Sequence, residues 1–151
     1  HTWFECKIRY EKVMENGMQK KVTEPYLVDA LSFTEAEARI IEEMTPFISG
    51  EFTVSDIKRA NYSELFPSDE ESADRWFKCK LIFITLDEKS GAEKKTSTQV
   101  LVQAADLRDA VKKLDEGMKG TMADYQIASV AETAIMDVYP YSAEPDDKPE
   151  V

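Results

Sequence analysis

Trp3-Phe4-Glu5-Cys6-Lys7-Ile8 returns further along the chain as Trp76-Phe77-Lys78-Cys79-Lys80-Leu81. The chain holds only two Trp and two Cys among 151 residues, so a shared Trp-Phe-x-Cys-Lys run implies that one folding unit is stated twice. Working outward, the spacing of 73 becomes 74 after a one-residue insertion. It then pairs Gly17 with Gly91, Leu27-Val28 with Leu101-Val102, Ala36 with Ala110 and Met44 with Met118. It returns to 73 where Leu65-Phe66-Pro67 meets Val138-Tyr139-Pro140.

Within each copy the apolar period dictates the elements. Phe4, Cys6, Ile8 and Tyr10 alternate with Glu5, Lys7, Arg9 and Glu11, as a strand with one buried face requires, and Phe77, Cys79, Leu81 and Phe83 repeat the pattern. Asn16-Gly17 and Ser90-Gly91 then supply the positive φ of a hairpin turn, so a second strand returns with Tyr26, Val28 and Ala30, or Val100, Val102 and Ala104, facing the core. Ser32-Phe33-Thr34-Glu35 is a capping box, with Asp106 and Asp109 in the equivalent places. Phe33, Ala36, Ile40 and Met44, and likewise Leu107, Ala110, Leu114 and Met118, follow at helical spacing, and Thr45-Pro46 and Gly120 close the two helices. A third strand follows in each copy, with a bulge expected where alternation slips after Val54 and after Ile127.

The expected fold is therefore α+β: two tandem ββαβ repeats forming one pseudo-twofold domain, with six mainly antiparallel strands and two helices. Repeat 1 spans residues 1–67, an acidic linker 68–75, repeat 2 residues 76–141, and an acidic tail read as disordered 142–151. One unit alone covers one sheet face and leaves edges open, and Ile82 and Ile84 on the far face of their strand need cover, from the other half or from a second subunit.

The Trp-Phe-x-Cys-Lys opening, the Pro25-Tyr26-Leu27-Val28 strand and the Thr34-Glu35-Ala36-Glu37-Ala38 helix start resemble a family of small uncharacterised proteins, a domain of unknown function, from Bacteroidetes and related phages. The resemblance spans nearly the whole chain. It implies a bacterial, cytoplasmic origin and carries over no catalytic or binding residue.

Composition narrows the chemistry. Net charge is −11, but the short segments 68–75 and 142–151, with one basic and four acidic side chains each, carry six of those charges, so acidity alone does not exclude a polyanionic partner. The longest apolar run, Leu81-Ile82-Phe83-Ile84, is far short of a membrane span, and the alternating N-terminus does not read as a signal peptide, so no membrane association is expected. Two cysteines make no disulfide framework, and a cytoplasmic setting is expected.

His1 is the only histidine, which removes Ser/His/Asp and Cys/His catalysis and Cys/His zinc sites, and the five glycines form no phosphate-binding motif. Cys6 and Cys79 read as small apolar core residues, and Asp69-Glu70-Glu71 with Asp74 reads as a solvated linker without the spacing of a calcium loop. No catalytic residue, cofactor or metal is expected.

The remaining candidates are Trp3, Lys7, Arg9, Trp76, Lys78 and Lys80, which alternation places opposite the Phe/Cys face. Aromatics beside cations are what sheet-based single-strand binders use, while a Trp at the start of a strand can equally be packed. The sequence thus points first to a non-enzymatic interaction or structural domain, meeting a protein partner or a second copy through sheet surface or edge. A nucleic-acid-binding module using the paired Trp/Lys positions comes second, and an enzyme working through carboxylates third.

Overall fold

The computed structural model describes residues 2–141, and both His1 and the expected acidic tail lie outside the described residues. Among the described residues the fold is α+β, with two helices and two mixed four-stranded sheets. The chain divides into two compact units, one made of residues 2–60 with 135–141 and the other of residues 61–134.

In the first unit, β1 (Trp3–Val13) and β2 (Gln19–Asp29) form a hairpin that turns at Gly17, whose φ is +83°. Helix α1 (Phe33–Met44) follows and then β3 (Phe52–Ala60), antiparallel to β1 on its other side. The N-terminus of α1 is held as its sequence dictates. Ser32 Oγ accepts from the Glu35 N–H at 3.1 Å, and the Glu35 carboxylate accepts from the Leu31 N–H, one residue beyond the usual capping-box partner. Ala36, Ile40 and Met44 from the helix meet Phe4, Cys6, Ile8, Val28 and Ala30 from the sheet in one buried cluster. Phe33 was expected in that stripe but is 46% exposed. As the first helical residue it overhangs the sheet, edge-on to Phe4 at 4.9 Å, with the Arg59 guanidinium over both rings.

In the second unit, β4 (Glu64–Phe66) precedes the hairpin of β5 (Arg75–Leu86) and β6 (Glu93–Ala104), which turns at Gly91 with φ +73°. Helix α2 (Leu107–Gly117) and β7 (Asp124–Glu132) complete it. Asp106 caps α2 by accepting from the Asp109 N–H at 2.8 Å, and Asp109 reaches back to the Ala105 N–H at 2.9 Å. Cys79, Leu81, Val100, Val102, Leu114 and Met118 form the core beneath this helix, joined by Phe77, Ala104 and Ala110. Leu107, the counterpart of Phe33, is 52% exposed for the same reason.

Both expected bulges are present. Lys7 pairs with Asp56 and Ile8 with Val54, leaving Ser55 as the extra residue, whose hydroxyl donates to the Lys7 carbonyl at 3.3 Å. Lys80 pairs with Ser129 and Leu81 with Ile127, leaving Ala128 extra.

Eight strands form among the described residues rather than the six expected, for a reason rooted in the ladders. Trp3 begins β1, so its partner Ala60 is the last residue of β3 with anything to pair with. The chain leaves the sheet there, and Glu64-Leu65-Phe66 instead pairs parallel with Val100-Leu101-Val102 of β6. Likewise, Val138-Tyr139, as β8 (Val138–Tyr139), pairs parallel with Leu27-Val28 of β2, helped by the Leu27 N–H to Asp137 carbonyl bond of 3.0 Å. The sheet orders are β3-β1-β2-β8 and β4-β6-β5-β7.

The acidic segment 68–75 is more tied down than a solvated linker. Ala73 is buried, and Lys113 of α2 reaches Glu70 at 2.8 Å, Ser68 Oγ at 3.2 Å and Asp109 at 2.9 Å. Desolvation pulls the Lys113 pKa down, but the hydrogen bonds to Asp109 and Glu70 outweigh it and the net shift is upward.

Candidate functional site

The six residues singled out from the sequence do sit on the face of β1 or β5 away from the helices, as alternation requires. They do not form an open aromatic and cationic track. Trp3 is only 8% and Trp76 only 4% exposed, so neither ring offers a free face to a base, and this burial matches the packed reading of a Trp at the start of a strand. Lys7 is half-buried, whereas Arg9, Lys78 and Lys80 are exposed. The cations are therefore surface charges without the aromatic platform that would make them a single-strand site.

The cysteines behave as core residues. Both are free and fully buried. Burial, reinforced by Glu5, Asp56 and Glu37, pushes the Cys6 thiol up to about 12, and burial pushes Cys79 to about 11. A thiol so protonated at neutral pH is a poor nucleophile.

A polar cluster lies at the far end of the first core. Tyr10 donates to Glu24 Oε1 at 2.9 Å, Tyr26 donates to the same oxygen at 3.4 Å, and Lys12 stands 3.6 Å from the other oxygen. Burial and then the Glu24 contact hold the Tyr10 phenol at about 12, and burial raises Tyr26 further. All of these shifts move away from neutrality, the opposite of what general acid–base work requires. Among the described residues no group of three or more His, Cys, Asp or Glu is placed to hold a metal ion, and no helix is long and apolar enough to cross a membrane.

Two of the concave features among the described residues are shallow. One of about 530 Å³ is a hollow in the exposed hairpin turn Lys12–Asn16, and one of about 240 Å³ is lined by Tyr26, Met44, Phe47, Met136, Asp137 and Tyr139. Neither gathers the convergent polar groups of a small-molecule site.

What the sheets do offer is edges. β3 and β7 each end a sheet, with a strand partner on one side only. They manage that exposure differently. Phe52-Thr53-Val54-Ser55-Asp56-Ile57-Lys58-Arg59-Ala60 carries three charges along its length, with Lys58 facing Glu5 at 3.9 Å, and central charges discourage another strand from docking. Asp124-Tyr125-Gln126-Ile127-Ala128-Ser129-Val130-Ala131-Glu132 has charges only at its two ends. Gln126, Ala128, Ser129 and Ala131 are exposed, while Tyr125, Ile127 and Val130 pack against the second core. None of these residues was among the sequence candidates, although the uncharged run of seven was visible in the sequence.

The family model described as Domain of unknown function (DUF4494) matches residues 2–141. No curated protein matches the chain.

Proposed function

We propose that this chain, which belongs to the DUF4494 family, is a non-enzymatic interaction domain that accepts a strand from a protein partner at the open edge of β7. The observation that carries this reading is the contrast between the two long edge strands, β4 and β8 at the opposite edges being only three and two residues long: β3 is defended by Asp56, Lys58 and Arg59, and β7 has no charge between Asp124 and Glu132. An undefended edge presents main-chain donors and acceptors to an incoming strand, the basis of recognition by strand addition. The upward shifts of both thiols support a role without nucleophilic chemistry. Burial of Trp3 and Trp76 favours a protein partner over nucleic acid.

The finer architecture belongs to the same proposal. The matched sequence spacing, the two bulges and the common strand–strand–helix–strand order support a duplicated ββαβ unit. In this duplication the short terminal strands β4 and β8 have traded sheets. The cytoplasm of a bacterium is the setting in which two free, buried thiols are at home.

The test is a displayed-peptide selection against the chain, with binding mapped by amide hydrogen exchange. Selected peptides should slow exchange within residues 124–132 and lose binding to the Gln126→Lys variant, which places a charge in the middle of the edge. Binders that protect other strands, or that ignore Gln126→Lys, would refute the assignment.

A further inference from the structure

We infer that the strand β7 accepts is the β7 of a second copy of this chain, joined antiparallel about a twofold axis. This rests on the edge-strand reading above and adds the identity of the occupant.

The bulge at Ala128 restricts the register. Before it, Tyr125 and Ile127 face the helix side, opposite Phe83 and Leu81, while Asp124 and Gln126 face away, opposite Ile84 and Ile82. After it the parity reverses: Val130 faces the helix side opposite Cys79, while Ser129 and Ala131 face away opposite Lys80 and Lys78. Residues directly opposite in an antiparallel ladder share a face, so a register that sets Tyr125 against Ser129 or Ala131 of the second copy is excluded. A register with the twofold between Ile127 and Ala128 keeps Asp124, Tyr125, Gln126, Ser129, Val130 and Ala131 each opposite a residue on its own face. It sets Tyr125 against the second copy's Val130 on the helix side, and Gln126 against Ser129 and Asp124 against Ala131 on the other face.

The side chains in that register are complementary. An aromatic meets a β-branched residue and an amide meets a hydroxyl, both favourable cross-strand pairs. Asp124 of each copy comes beside Ala131, whose neighbour on β5 is the exposed Lys78, so each end of the joint places a carboxylate near an ammonium. No like charges stand opposite one another. An interface that is self-complementary under rotation closes at two copies. Its small area places the dimer at the weak end of specific association, with a Kd in roughly the micromolar range.

Sedimentation equilibrium over a concentration series, with hydrogen exchange read on the same samples, tests this. A monomer–dimer equilibrium is expected, with the amides of residues 124–131 slowing as concentration rises. Asp124→Lys and Lys78→Glu should each weaken the dimer about tenfold, and the double variant should recover most of the loss; Gln126→Lys should abolish it. A chain that stays monomeric at millimolar concentration, or a dimer insensitive to Gln126→Lys that leaves 124–131 exchanging freely, would overturn the inference. If displayed peptides still dock on β7 in either case, the edge reading survives and only the occupant is wrong.

Discussion

The Cβ that Gly117 lacks would stand 2.8 Å from the Phe66 ring, so the aromatic of β4 lies directly on the bare backbone of the last turn of α2. This contact is how a three-residue strand, too short to hold itself, is pinned to the unit it joins. In an exposed helix Gly→Ala normally gains about 1 kcal/mol. Here Gly117→Ala should instead lower stability by about 1–2 kcal/mol, because the near edge of the ring cannot swing clear without leaving β4. In a Phe66→Ala background the same substitution should revert to stabilising. Urea unfolding of the four chains settles it, and a stabilising Gly117→Ala in the unmodified background would mean that Phe66 is not seated there.

Much of the fold was written locally and much was not. The hairpin glycines, the capping pairs Ser32/Glu35 and Asp106/Asp109, and the slips at Ser55 and Ala128 are decided by residues within a few positions of one another, and each stands where its sequence put it. β4 and β8 were legible as apolar endings but not as parallel edge strands, since nothing in Leu65-Phe66 or Val138-Tyr139 names a partner some 35 or 110 positions away. The burial of the candidate tryptophans was not legible for a related reason. Alternation placed Trp3 and Trp76 on the correct face, but whether a face is covered is a tertiary fact that strand period cannot express.

Burial also sets what the tryptophans do. Truncation of a buried aromatic leaves a cavity and costs about 3–5 kcal/mol. Trp3→Ala and Trp76→Ala should each lower the Tm by more than ten degrees for a chain of this size. Calorimetry with Trp→Phe controls, which keep most of the volume, should show the smaller loss for Phe. A Trp→Ala variant with an unchanged Tm would return that ring to the surface and revive the stacking role.

Arg39 is the clasp on β8. Its guanidinium donates to the Asp29 carbonyl and, at 3.2 Å, to the Pro140 carbonyl, and it lies 5.6 Å from the centre of the Tyr141 ring. One side chain thus joins α1, the end of β2 and the segment that follows β8. Arg39→Lys keeps the charge but not the planar fork, so it should behave more like Arg39→Ala than like the unmodified chain. The expected signature is local: the Leu27 and Met136 amides, which bond to the Asp137 and Pro25 carbonyls, should exchange at least tenfold faster while the amides of β1 are little changed. Uniform acceleration throughout the first unit would show that Arg39 supports the whole core rather than this strand.

The buried thiols and phenols make stability fall on the alkaline side. A group whose folded pKa is raised gives its full contribution below its unfolded pKa and loses it as pH climbs through the folded one. For Cys6 that window runs from 9.0 to about 12 and for Cys79 from 9.0 to about 11, with Tyr10 and Tyr139 following between 10.0 and about 12. The urea midpoint should therefore hold steady from pH 7 to 8.5 and decline from about pH 9, as the unfolded chain begins to release protons that the folded chain keeps. Cys6→Ala with Cys79→Ala will lower the baseline by opening space in both cores, but should move the onset of the decline up to about pH 10, where the tyrosines take over. A thiol reagent at pH 8 should in turn label the native chain only as fast as it opens, and all at once in urea. Rapid labelling of either cysteine in the folded protein, or a double variant whose decline still begins at pH 9, would show that the thiols are not the groups that titrate.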